Sequence, residues 1–93
     1  MEANAIKTAR AGTLESMDCL VAVADSDAGR VIEISGASAV RFKSSMEKTI
    51  NDTLDALGAG ERLRISVRDN GALGVVLGAR VETAYKRYAG LAE

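Results

Sequence analysis

From Phe42 to Leu57 an apolar residue returns every three or four positions, as Phe42, Met46, Ile50, Leu54 and Leu57. That spacing follows the turn of an α-helix and lays one apolar stripe along it, leaving Lys43, Glu47, Lys48 and Asp52 to face water. Ser35-Gly36-Ala37-Ser38 supplies break and N-cap chemistry ahead of the helix, and Gly58 or Gly60 supplies a left-handed C-cap after it. A helix with one apolar stripe needs a second layer to bury it, so the rest of the chain must supply that layer.

The second layer is legible as strands. Asp18 to Ala24 (DCLVAVA) is apolar and β-branched, with Cys19, Val21 and Val23 on one face and Leu20 and Ala22 on the other. Asp25 to Gly29 (DSDAG) is a turn cluster. Arg30 to Ser35 then alternates, placing Ile32 and Ile34 opposite Val31 and Glu33, and the pair of strands is expected as a hairpin. Leu63, Ile65 and Val67 alternate with Arg62, Arg64, Ser66 and Arg68, which gives a third strand with one buried and one basic, exposed face. Asn70-Gly71 is a common hairpin signal, but Leu73, Leu77, Val81, Ala84 and Tyr88 keep helical spacing beyond it. A second helix capped by Asp69 or Asn70 is therefore expected, with Gly74 and Gly78 each weakening it by about 1 kcal/mol relative to alanine.

The order strand, strand, helix, strand, helix predicts an α+β fold: a small three-stranded sheet with two helices packed on one face. The first strand is placed in the middle with the third antiparallel to it, and the crossover from second to third is expected to be right-handed. Residues 1–12 are expected as a flexible N-terminal arm, and 13–93 as a single domain.

Composition narrows what such a domain can do. The formal net charge is −1 in 93 residues, which gives no case for nucleic acid. No apolar run approaches the length of a membrane span, and no apolar stretch near Met1 reads as an export signal, so a cytoplasmic location is expected. There is no histidine, which removes the commonest general base and the commonest neutral metal ligand; neither a catalytic residue nor a metal site is expected. Cys19 is the only cysteine, without a histidine to activate it, and is read as a small buried residue. A chain this small without disulfides is expected to work inside a larger complex.

The segment with chemical content is Gly12-Thr13-Leu14-Glu15-Ser16-Met17-Asp18. Read on its residues alone it is a glycine, two hydroxyls and two acids before a strand, and Ser16 could simply open that strand with Glu15 and Asp18 solvated. Asp25-Ser26-Asp27 also offers a serine between acids, but in a predicted hairpin turn. Arg62, Arg64 and Arg68 read as a solvated face, with docking to an acidic partner or contact with phosphates as the alternative. Arg80 and Glu82 read as helix-surface charges, and Tyr85 and Tyr88 as the core edge or a subunit contact.

GTLES, an acid two positions on and a β-branched strand together resemble the citrate lyase acyl carrier protein (gamma subunit) family. The resemblance continues at Phe42, at Asp69-Asn70-Gly71-Ala72-Leu73 (the family's D-x-G-A-L) and at Ala79-Arg80-Val81-Glu82 (its A-R-x-E). Gly74 and Gly78 depart from the aspartate and arginine usual there. The resemblance implies a non-catalytic subunit bearing a covalent 2′-(5″-phosphoribosyl)-3′-dephospho-CoA on Ser16 through a phosphodiester. The thiol of that arm would carry acetyl and citryl thioesters between the acyltransferase (alpha) and lyase (beta) subunits during cleavage of citrate to acetate and oxaloacetate. A prosthetic-group transferase would install the arm, with Gly12, Glu15 and Asp18 as candidate recognition residues: Gly12 as the bend that presents Ser16, and the two acids as marks for a basic transferase surface. The same residues suit a carrier in citramalate lyase or malonate decarboxylase; a binding module with no covalent group is the reading from a different class.

Overall fold

The structure, a computed structural model, describes residues 7–91. In chain order the elements are β1 (Thr8–Gly12), β2 (Asp18–Asp25), β3 (Val31–Gly36), α1 (Ala39–Ala56), β4 (Leu63–Asn70) and α2 (Gly74–Ala89). The strands form one four-stranded sheet in the order β1-β2-β4-β3. β1 and β4 flank β2 antiparallel, and β3 lies parallel to β4. The α+β class is as expected, and so is the antiparallel pairing of β2 with β4.

Three expectations are corrected. The sheet has a fourth strand, because residues 8–12 form β1 where a flexible arm was expected; residues 1–6 of that arm lie outside the described residues. Thr8-Ala9-Arg10-Ala11-Gly12 lacks the β-branched signature of a strand because it is an edge strand lying beneath α2, where small residues suffice: Ala11 is its buried side chain. The hairpin is formed by β1 and β2, not by β2 and β3. β3 instead reaches β4 through α1, the helical crossover that parallel pairing requires, and it sits at the far edge of the sheet. Asp69 and Asn70 end β4 instead of capping α2, whose N-cap is Leu73.

The two apolar periods meet in one core. Val21 and Val23 of β2 and Ile65 and Val67 of β4 are buried, as are Ile50 and Leu54 of α1 and Leu77 and Val81 of α2, so both helices cover a single sheet face. Arg30 holds the β2–β3 connection to the end of α1. Its guanidinium donates to Asn51 Oδ1 at 3.0 Å and Asp55 Oδ1 at 2.9 Å, and to the carbonyls of Ala59 at 3.1 Å and Gly60 at 3.0 Å. A cation at a helix C-terminus also complements the helix dipole. Asp69 performs the matching task at the opposite end of the sheet. Its buried carboxylate accepts the N–H groups of Gly71 at 3.0 Å and Ala72 at 2.9 Å before α2, and of Ser38 at 3.0 Å before α1. Burial pushes the Asp69 pKa up, but these donors outweigh it and hold the carboxyl below its ordinary value.

Candidate functional site: the Ser16 hairpin

Ser16 lies in the connection between β1 and β2. The Asp18 N–H donates to the Glu15 carbonyl at 3.1 Å, closing a four-residue turn with Ser16 and Met17 at its central positions. Met17, at the third position, has φ 66°, a left-handed value that glycine or asparagine usually supplies in such turns. Ser16 is thus at the tip of a defined turn and exposed to solvent, as are Leu14, Glu15 and Met17.

The turn is tied down on every side of Ser16. Thr13 N–H donates to the Cys19 carbonyl at 3.2 Å, and its hydroxyl accepts the Glu15 N–H at 3.1 Å while donating to Asp18 Oδ2 at 2.7 Å. The end of β4 holds the other flank: Met17 N–H donates to the Asn70 carbonyl at 2.7 Å, and the Asn70 amide donates to the Leu14 carbonyl at 2.9 Å. Arg80, reaching from α2, donates Nε to Asp18 Oδ1 at 3.0 Å and Nη2 to Asp18 Oδ2 at 2.8 Å. Such a two-pronged pair fixes direction as well as charge. The Arg80 bonds, then those from Thr13 and the Cys19 N–H, hold the Asp18 carboxyl well below the usual carboxylate range.

Gly12 begins the hairpin at φ 103°, and a Cβ built there would stand 1.9 Å from the Cys19 carbonyl oxygen. Only glycine lets β1 lie this close as it turns toward Thr13. Among the sequence candidates, Ser16 and Glu15 are exposed on the turn, whereas Asp18 points into the network beneath it and Gly12 sets the backbone path. Arg80 and Asn70 are the residues that sequence reasoning left out of the site. The signal for them was present: GTLESMD, DNGAL and ARVE were matched as separate segments, and the fold brings all three to one end of the molecule.

The remaining candidates separate from this site. Ser26 is buried, with its Oγ accepting the Ala28 N–H at 3.1 Å. Arg64 pairs with Glu33 at 2.6 Å, and Arg62, just before β4, pairs with Asp27 at 3.0 Å, so two of the three arginines of the expected basic face are neutralised locally. Cys19 is buried under the hairpin, and its thiol is pushed up to about 11, first by burial and then by the Asp18 and Asp69 charges. Tyr85 and Tyr88 pack against the core as partly buried residues. Among the described residues no group of acids and cysteine is placed to hold a metal ion, and no helix is long and apolar enough to cross a membrane.

Comparison with known proteins identifies the family of the whole chain. The family model for the malonate decarboxylase delta subunit, an acyl carrier protein, matches residues 6–88. Citrate lyase acyl carrier protein 2 of Salmonella typhimurium is 40% identical over 85 residues, covering 90% of this chain and 87% of its own. The citrate lyase acyl carrier protein of Pectobacterium atrosepticum is 40% identical over 82 residues, covering 88% and 84%. In the crystal structure of a Pseudomonas malonate decarboxylase hetero-tetramer in complex with malonate, one chain shares the fold with a TM-score of 0.70 at 21% identity, over 87% of this chain and 82% of that one. The chain belongs to the citrate lyase acyl carrier protein family, and it is a carrier and not itself a catalyst.

Proposed function

We propose that this chain carries a phosphoribosyl-dephospho-CoA arm on Ser16 and presents acetyl and citryl thioesters to the acyltransferase and lyase subunits of a cytoplasmic citrate lyase. The observation that carries this reading is the turn itself: one exposed hydroxyl at its tip, with the backbone on either side fixed to β4 and, through Asp18, to α2. A modifying enzyme must bring a serine oxygen onto an activated phosphorus, and a preset turn spares it the entropy of ordering the loop. The Ser16 oxygen would form the new P–O bond as the leaving group departs. The transferase would supply the base that takes the hydroxyl proton, because no base among the described residues contacts Ser16. The arm, once attached, supplies the reactive thiol, and the chain supplies placement.

Of the two acids flagged for recognition, Glu15 is the one that a transferase could touch, and Asp18 acts through the shape of the turn. A thioester that must visit two active sites benefits from a tether, which keeps it at high local concentration without releasing it. The family model and the fold shared with a malonate decarboxylase chain favour one second reading, a carrier that serves a malonate-decarboxylating complex. Intact mass of the chain co-expressed with a prosthetic-group transferase, beside Ser16→Ala, tests the anchor: the expected result is a mass gain matching the arm that the variant loses. Mixing the loaded chain with partner subunits then separates the substrates. Acetate and oxaloacetate from citrate support citrate lyase, and carbon dioxide from malonate assigns the second reading.

A further inference from the structure

Two residues that helical spacing assigns to the core are held out of it. Phe42 is 50% exposed and Leu73 is 59% exposed. Phe42 sits at a kink in the first turn of α1 (φ −122°, ψ 20°), and Leu73 has the extended backbone of an N-cap (φ −74°, ψ 160°). Both line one groove, between the start of α1 and the start of α2, with a volume of about 300 Å³. That is the lower end of the range for small-molecule sites. Met46 and Leu77 supply further apolar wall, Ser45 and Thr49 supply hydroxyls, and no charged side chain lines it. A Cβ at Gly74 would meet nothing within 4 Å, so the groove is open there. At Gly71, also in its wall, a Cβ would stand 3.8 Å from the backbone N and Cα of Met17. The groove therefore opens beside the turn that presents Ser16, one residue away from the anchor.

We propose that this groove is the resting site of the arm, and that it takes the neutral pantetheine-type segment between the phosphates and the thiol. The inference rests on Ser16 being the anchor. The chemistry matches piece by piece. Geminal methyls suit the apolar walls of Phe42, Met46, Leu73 and Leu77, and the amides suit the hydroxyls of Ser45 and Thr49. The absence of charge in the lining excludes the phosphates from the groove and leaves them at the turn, in water. Tethering makes a weak site sufficient, since a short flexible link gives an effective concentration on the order of millimolar. A contact of that strength shelters the arm between visits and yields to a partner's active site.

The test uses loaded and unloaded chain, with loading verified by intact mass. In the loaded chain we expect nuclear Overhauser cross-peaks between the arm's geminal methyls and the side chains of Phe42, Leu73 and Leu77. Gly74→Leu, which has room for its Cβ and adds a branched side chain at the groove wall, should keep the mass gain and lose those cross-peaks. Full mass gain in the wild-type chain with no cross-peaks, and with Leu73 and Leu77 methyl shifts identical to those of the unloaded chain, overturns the inference while leaving the anchor intact. Groove shifts that move only when purified partner subunits are added to either form assign the groove to a partner and also overturn it. No mass gain at all removes both the arm and the carrier reading, so the two failures are distinguishable.

Discussion

Beneath the Ser16 turn, Cys19 and the Asp18–Arg80 pair have opposite chemistry, and each makes a testable statement. The Cys19 thiol is buried and pushed up to about 11, so at neutral pH it is both protonated and out of reach. An alkylating reagent at about pH 8 should leave the folded chain unlabelled and modify Cys19 only on unfolding. Rapid labelling under native conditions, followed by mass, would contradict the burial. On a loaded chain this leaves the arm's thiol as the accessible one. Asp18 titrates in the other direction. Its folded value is depressed below the ordinary 3.8, so its contribution to stability is complete above that value and is lost as pH falls through the folded one. Asp18→Asn should therefore lower the urea midpoint near about pH 7 and lose most of that deficit near about pH 2. An equal deficit at both pH values would show that the charge plays no part. Gly12→Ala is expected to be among the most damaging single changes, on the order of 3 kcal/mol, because its methyl meets the Cys19 carbonyl. A denaturation midpoint within error of the wild type would refute the close approach.

Among the elements, the helices were the most legible and their ends the least. The stripe Met46, Ile50 and Leu54 is buried as its spacing requires, while Phe42, on the same stripe, leaves the core where the first turn kinks. Periodicity reports which face a residue occupies and says nothing of where the other layer ends. Gly78 illustrates a second limit. Spacing marks it as a weak point inside α2, and the structure adds what it faces: a Cβ there would lie 3.5 Å from Thr53 Oγ1 and 3.8 Å from Thr49 Cγ2, ordinary contact across the α1–α2 interface. Gly78→Ala should therefore stabilise the chain by about 1 kcal/mol, read as a rise in the denaturation midpoint. A fall would contradict the room for a methyl between the two helices at this position. Arg30 was invisible as a structural residue because its partners, Asn51, Asp55, Ala59 and Gly60, lie more than twenty positions away in the sequence.

At the scale of the molecule, all four strands and both helices contribute to one core, so among the described residues no part has a separate apolar cluster to sustain it. Unfolding should be a single transition, with the fluorescence of the two tyrosines and far-ultraviolet circular dichroism changing together. An earlier tyrosine transition would mean that α2 and the β1 edge beneath it open independently of the rest. The Ser16 turn stands at the end of this core where β4 finishes and α2 begins. Thr13 and Asp18 of the hairpin, Asn70 of β4 and Arg80 of α2 are contributed by three elements that only the complete fold brings together.

The α+β class, the apolar faces of β2, β4 and both helices, and the segment that holds Ser16 are all legible in the order of the residues. Those properties are local: side-chain period, β-branching, turn residues and one short motif are written in consecutive positions. The tertiary structure alone decided that Thr8–Gly12 is a strand, that β3 pairs parallel with β4, and that Arg80 and Asn70 support the Ser16 turn. A short edge strand of small residues carries no period of its own and exists because β2 offers it a ladder. Strand order and the reach of Arg80 to Asp18, sixty-two residues apart, depend on how the layers stack, and no local pattern encodes a contact between residues so distant.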